Sequence, residues 1–296
     1  MRSDFRKNLG NKFYWLLAKI SPELYFRVKA LRPPLKRWLN LKNPETYADK
    51  MVWLTLNWRH PLKTKCADKY LVREYLRECG CEELAVPLLG VWERAADVDF
   101  DKLPNRFVIK CNHGCGMNIV VKDKAKLDIA ETRRRLDAWL KFNYGYAELQ
   151  YKNIPPRIIA EEFLDDGVHE MPVDYKVFCI NGKVYACNAI MDRGTGDNYG
   201  YKEVLMDRDW KRVMALRHEQ PADLVCEKPA GYEQMMQYAE RLAKPFPIVR
   251  VDFYYVKDKI YLGELTFTSA GGLGVAFSDK AQREMGELLV LPKSIR

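Results

Sequence analysis

VRVDFYYVKDKIYLGELTFTSAGG, residues Val249 to Gly272, sets two apolar runs either side of a Lys-Asp-Lys turn. That pattern predicts a β-hairpin. Asp252 leaves its first strand and Glu264 ends its second. Two acids carried on paired strands can converge on one point, which a hard cation with oxygen ligands requires. Side chains alternate between the faces of a strand, so Thr266 shares the face of Glu264 and Arg250 that of Asp252. An amphipathic hairpin with solvated acids would read the same way in isolation. The rest of the chain decides between the two.

The 296 residues are enough for one large domain or two to three subdomains with a real core. A hydrophobic content of 48% with 30% charged residues belongs to a globular protein. No apolar run approaches the roughly 20 residues that span a bilayer, and charges interrupt the apolar residues where a signal peptide would lie. Eight scattered cysteines show no disulfide framework and read as reduced thiols of a cytosolic protein. The net charge of +9 is concentrated in residues 1–42, which hold eleven Lys/Arg against two acids, while the remaining 254 residues balance. That body carries no basic, aromatic-studded stripe, which excludes a nucleic-acid partner. The basic segment instead mixes its charges with Phe5, Phe13, Tyr14, Trp15, Leu16, Leu17, Tyr25, Phe26 and Trp38. Such helices suit peripheral contact with the inner face of the cytoplasmic membrane, a partner groove, or packing on their own domain with a solvated basic face.

A helix is predicted from Pro22, ended by Pro33-Pro34, and another opens at Asn43-Pro44-Glu45-Thr46. Ala67 to Leu76 has helical period, Leu84 to Val91 reads as a strand, and Asp97 to Pro104 as a polar linker. From Arg106 the pattern is strand, glycine-containing loop, strand, helix from Ile129 to Phe142, and a strand from Arg157 to Phe163. Asp174 to Ile180 and Lys183 to Met191 form a hairpin about Asn181-Gly182. Gly194 to Gly200 is loop, and helices are predicted over Tyr232 to Leu242 and Asp279 to Leu288. Hairpins followed by helices, with few parallel crossovers, make the class α+β. The expected division is 1–100, a helical N-terminal region; 101–165, a nucleotide-binding subdomain; and 166–296, a C-terminal subdomain with the metal site.

Lys110 lies in a predicted strand and precedes the loop Asn112-His113-Gly114-Cys115-Gly116-Met117-Asn118. Glycines there let backbone amides approach phosphate oxygens, and a strand-borne lysine supplies a fixed charge. The spacing fits neither a Walker A loop nor a dinucleotide fingerprint. A protein kinase is excluded because its glycines precede the lysine and because no His-Arg-Asp loop is present. His113 reads either as a phosphate contact or as a solvated side chain. Cys111 with Cys115, and Cys79 with Cys81, lack the second pair that a zinc site needs.

A lysine, a glycine loop, a Glu-Glu-Phe-Leu hinge, an Asp-Tyr-Lys segment and two strand acids, in that order, resemble the ATP-grasp fold. From about Asn43 to Gly274 the chain is similar to the TupA-like ATP-grasp family of bacterial cell-surface polysaccharide clusters. The matching segments are NPETYADK, ADKYLVREYL, VPLLGVW, LPNRFVIKCNHGCG, PRIIAEEFL, DYKVFCINGK, and VRVDFYY with GELTFTSAGG. The resemblance implies two α+β subdomains with ATP between two antiparallel sheets, behind a helical N-terminal region. It implies that Lys69 and Lys110 contact the ATP phosphates below a loop carrying Gly114 and Gly116. Glu161 and the backbone of Glu162, Phe163 and Leu164 take the adenine edge, and Asp165, Asp166 or Glu170 holds the ribose. Lys176 and Arg193 contact phosphate or acyl phosphate, and Arg250 faces the reacting carboxylate. Asp252 and Glu264 bind Mg²⁺, with Thr266 standing where related ligases often have Asn, so a water can replace that third ligand. The activity implied is an ATP- and Mg²⁺-dependent carboxylate–amine ligase that forms an amide through an acyl phosphate. Its implied substrates are a uronic acid of a surface glycan or precursor and an amino acid or peptide. A phosphotransferase or other glycan-modifying transferase, and a nucleotide-binding assembly protein, are the alternatives on the same fold.

Overall fold

The computed structural model describes residues 13–142, 145, 148–194, 200–218, 221 and 223–293. Residues 13–20 are helical, and α1 (Pro22–Ala30) follows with the Ser21 hydroxyl accepting from the Leu24 N–H. Helix α2 (Tyr47–Asn57) opens on a reciprocal cap, Thr46 accepting from the Asp49 N–H while the Asp49 carboxylate accepts from the Thr46 N–H. Helices α3 (Pro61–Ala67) and α4 (Val72–Glu78) replace the single helix expected over Ala67 to Leu76. The chain breaks at Asp68, whose Oδ1 accepts from the N–H groups of Tyr70 and Leu71 at 2.8 and 3.2 Å. A short acid that bonds the backbone just ahead of it competes with the helical ladder. The break takes Lys69 out of any helix.

Four antiparallel strands form the smaller sheet, in the order β1 (Leu88–Trp92), β4 (Ile158–Glu162), β2 (Phe107–Cys111), β3 (Asn118–Val121). Phe107, Ile109, Cys111, Ile158 and Ala160 turn one face into a core that Leu136 of α5 (Ile129–Leu140) closes. Val98, Phe100 and Leu103 are buried in the same core, so the stretch from Asp97 to Pro104 is not a free linker. Strand β1 belongs to this sheet and lies before residue 101, so the sheet crosses the division expected between 1–100 and 101–165.

The larger sheet runs β7 (Lys202–Met206), β6 (Lys183–Met191), β5 (Asp174–Ile180), β8 (Ile248–Val256), β9 (Lys259–Thr266), all antiparallel. Val177, Cys179 and Val251 of one face pack with Met235, Met236 and Leu242 of α6 (Tyr232–Ala243). Fully burying each of those larger side chains contributes about 1.5–3 kcal/mol. Helix α7 (Asp279–Leu288) locks against α2 through Gln282, which accepts from the Ala48 N–H (2.9 Å) and donates to Gly274 O (2.6 Å). Asn181 and Gly182 both take positive φ, 50° and 75°, as the β5–β6 hairpin requires. The loop expected over Gly194 to Gly200 falls mostly on 195–199, outside the described residues, as do residues 1–12.

The β8–β9 hairpin departs from its expected turn. Only Lys257 and Asp258 form the loop, with φ of 50° and 61°, so Val256 pairs with Lys259. Continued in register, that turn would set Gly263 against Asp252 and send Glu264 to the opposite face. A bulge intervenes: Phe253 pairs with Leu262 and Asp252 with Glu264. Gly263 is the extra residue, and a Cβ there would come within 3.0 Å of the Tyr254 ring. The bulge therefore carries the acid pair onto one face.

Candidate functional site

Register lines up one polar row across the larger sheet. Asn188 of β6 opposes Lys176 of β5, Lys176 opposes Asp252 of β8, and Asp252 opposes Glu264 of β9. Arg250 and Thr266 form the neighbouring pair on the same face. The side chains close into a continuous network. Lys176 Nζ lies 2.7 Å from Asp174 Oδ2 and 2.8 Å from Asp252 Oδ2, and Arg193 Nη2 lies 3.0 Å from Asp174 Oδ2. Arg250 grips Asp252 by both carboxylate oxygens at 2.6 Å and reaches Glu264 Oε1 at 3.2 Å. The Thr266 hydroxyl accepts from Arg250 (3.0 Å) and donates to Glu264 (2.7 Å).

Asp174 and Asp252 are buried and the other charges of the row partly so, and each is met by an opposite charge with hydrogen-bonding geometry, which is the condition for tolerating them. Burial works against the charge of Lys176, but Asp252 and Asp174 outweigh it and raise its pKa. Burial likewise works against ionised Glu264, and Lys69, then Arg250 and Lys176, overcome it and hold the carboxyl at about 2. Glu264 therefore stands ready as an anion.

Lys69 joins the two sheets. Its Nζ donates to Gly114 O in the glycine loop (2.9 Å) and lies 3.5 Å from Glu264 Oε2 on the larger sheet. The loop is tied at its base: Asn112 Nδ2 donates to Asp68 Oδ1 (2.9 Å), and the Lys69 N–H donates to Asn112 O (3.2 Å). Gly116 has φ of +72° with open space around it, so backbone conformation, not crowding, calls for glycine there.

On the smaller sheet Lys110 and Glu161 share the face turned away from the α5 core, and Lys110 Nζ pairs with Glu161 Oε2. Arg73 of α4 takes the other carboxylate oxygen at 2.6 Å. Glu161, expected at the adenine edge, thus has its carboxylate engaged in holding Lys110. The Glu162 N–H donates to Pro87 O (3.0 Å), while Phe163 and Leu164 lie past the strand end, half-buried. Of the ribose candidates, Asp165 pairs with Arg106, Asp166 caps its own turn and holds His169, and Glu170 reaches Lys122. His113 is buried rather than solvated. It is 3% exposed, its Nε2 meets Trp139 O and Phe142 O, and burial lowers its pKa.

Sequence reasoning missed Asp174, Asn188, Arg73, Asp68 and Ser269. Asp174 stood inside the Asp-Tyr-Lys segment two residues from Lys176, a spacing that puts both on one face. The other four depend on contacts between distant segments.

Asp252 and Glu264 present hard oxygens from directly opposed residues. Mg²⁺ is commonly bound by one or two carboxylates together with substrate phosphates, so this donor pair fits it. Thr266 fits less well as a ligand, because its hydroxyl is occupied between Arg250 and Glu264. Among the described residues no group of three or more His, Cys, Asp or Glu side chains could hold a metal unaided. Among the described residues none of the eight cysteines is joined in a disulfide.

Among solved structures the chain is similar to D-alanine–D-alanine ligase from Bacillus anthracis complexed with ATP, at 16% identity and TM-score 0.45, over 76% of this chain and 65% of that one. It is also similar to the ATP-grasp ligase PsnB complexed with minimal precursor (13%, TM-score 0.43, 81% of this chain and 66% of that one). D-cycloserine synthetase DcsG matches at 12% identity and TM-score 0.43, over 77% of this chain and 71% of that one. The chain thus spans just under two thirds of the length of the first two ligases. No curated protein matches it significantly. The sequence profile of the TupA-like ATPgrasp family matches residues 49–290, which include the glycine loop, both sheets and the whole polar row. The chain belongs to the TupA-like ATP-grasp family.

Proposed function

We propose that this protein is an ATP- and Mg²⁺-dependent carboxylate–amine ligase. It activates a carboxylate as its acyl phosphate and transfers the acyl group to an amine. We assign the carboxylate to a uronic acid of a bacterial surface polysaccharide or its precursor, and the amine to an amino acid or peptide. The observation that carries the reading is Lys69 bridging the glycine loop of one sheet to the Asp252–Glu264 pair of the other.

A carboxylate is a poor electrophile, and phosphorylating it concentrates negative charge that fixed cations must offset. Lys69 and Lys110 serve the phosphates, with Glu161 and Arg73 holding Lys110 in place. Lys176 on β5 and Arg193 just past the end of β6 offset charge on the transferring group. Arg250 orients the reacting carboxylate. Asp252 and Glu264 would hold Mg²⁺, which supplies charge neutralisation at the phosphates. The adenine edge then falls to the backbone at Phe163 and Leu164.

We extend the reading to peripheral membrane contact through residues 1–42. No described helix is long and apolar enough to cross a membrane. Phe13, Trp15, Leu16, Ile20 and Trp38 are exposed, and Lys19 lies over the Trp15 ring and Arg27 over that of Trp38. Rings beside cations suit an anionic interface. Removing residues 1–20 should release the protein from anionic vesicles, and retained binding contradicts this extension.

Phosphate release screened over amino acids crossed with uronic acids tests the activity. A ligase releases ADP and phosphate only when both partners are supplied. Phosphate retained on the acceptor indicates a phosphotransferase, and absence of turnover over the whole screen contradicts catalysis.

A further inference from the structure

Beside the polar row lies a cavity of about 500 Å³, between α3 and residues 149–151, within the size range of small-molecule sites. Trp58, His60, Lys63 and Gln150 line it together with Arg59 and Lys152, and none of its lining residues is acidic. Lys63 is 6% exposed. Among the described residues its Nζ reaches only the Trp58 carbonyl, at 3.4 Å, and otherwise faces the rings of Trp58 and Phe267 at 5.6 and 5.9 Å. Burial alone pushes it down to about 8. A buried ammonium without a counter-ion is unfavourable, so the position calls for an anion from outside the protein.

Gln150 adds a second requirement. It is 5% exposed, its Nε2 donates to Thr268 Oγ1 (2.7 Å), and its Oε1 accepts from no group among the described residues. Thr268 and Glu148 are bonded to each other, so that acid is directed to Thr268. Ser269, next in the chain, accepts from Arg250 Nη1 at 3.1 Å. Residues 266–269 therefore touch the polar row through Thr266 and Ser269 and the cavity's wall through Phe267 and Thr268.

The geometry points to this cavity as the subsite for the amine-bearing substrate, an amino acid or short peptide whose free carboxylate pairs with Lys63 and whose N–H meets Gln150 Oε1. A phosphate monoester dianion would satisfy Lys63 but, with no proton on its phosphoryl oxygens, leave the Gln150 acceptor empty; inorganic phosphate keeps one O–H and is therefore a competing ligand. The inference rests on the ligase reading for naming the ligand as second substrate.

Thermal-shift titrations of the full chain with each common amino acid, glycylglycine, their carboxamides, glucuronate and inorganic phosphate test it, on the natural protein and on Lys63→Met and Lys63→Arg. At least one free amino acid or the dipeptide should stabilise the natural protein while its carboxamide does not. Lys63→Met should weaken that response about tenfold or more, and Lys63→Arg should restore it to within about threefold. Stabilisation by no amino acid or dipeptide, an equal response in Lys63→Met, or a Lys63-dependent response to phosphate or glucuronate instead overturns the assignment. ATP binding is read in parallel. If ATP fails to bind the natural protein, the ligase reading fails; if ATP binds but the amino-acid response ignores Lys63, this inference alone fails.

Discussion

Lys176, half-buried on the polar row, and Lys63, buried in the cavity wall, lose water in the same sense but end with opposite shifts. On the polar row Lys176 has Asp174 and Asp252 within 2.8 Å, and its pKa is raised. In the cavity Lys63 has two rings and a carbonyl, and its pKa falls to about 8. The same desolvation acts on both, so the partners decide the charge. The row is internally satisfied and built to hold its geometry. The cavity carries a charge that no described side chain answers.

The largest effect should come from breaking the row. Asp252→Asn removes the counter-charge from Arg250 and Lys176, and such a loss typically costs about 3–5 kcal/mol. The urea midpoint reads that cost, and ADP formation should fall by about 10²–10³-fold.

Next comes the unanswered charge. Lys63 titrates at about 8 in the fold, and an unfolded lysine at about 10.4. The unfolded chain holds more protons between those values, so stability should rise with pH across that window, by on the order of 3 kcal/mol. Lys63→Met should abolish the rise and leave the protein more stable at neutral pH. A sloped profile that survives the substitution would remove the distinction between the two lysines.

Glu264 titrates at about 2 in the fold, held down by Lys69 and Arg250 against burial. An unfolded glutamate titrates near about 4.3, so this contribution, about 3 kcal/mol, is present above that pH and lost as pH falls towards about 2. Acid unfolding of Glu264→Gln should lack that component. The smallest effect belongs to Thr266→Val, which removes the hydrogen bonds to Glu264 and from Arg250 and should cost about 1–2 kcal/mol. Its ADP formation should drop only a few-fold.

The hairpin, the order of strands and most helices were legible because period and turn chemistry are local. Asn181-Gly182 announced its turn, and Asn43-Pro44-Glu45-Thr46 the start of α2. The convergence of Asp252 and Glu264 was also legible, but for a different reason than the one at work. A three-residue Lys-Asp-Lys turn would give their register directly, whereas the chain uses a two-residue turn and recovers register with the Gly263 bulge. The break at Asp68 was hidden because a helical period says nothing about a side chain competing for the backbone. Strand β7 has no paired turn signal of its own and joins an existing edge. Arg73 holding Glu161 and Gln150 holding Thr268 are contacts across 88 and 118 residues, which no local pattern encodes.

Calorimetric titration of ATP, with Mg²⁺ and with EDTA, addresses the polar row most directly when run on the natural protein and on Asp252→Asn. Mg²⁺ should tighten ATP binding about tenfold or more in the natural protein, and that gain should vanish in a variant that still folds. Equal affinity with and without Mg²⁺, or a full gain retained in Asp252→Asn, would contradict a cation held by Asp252 and Glu264.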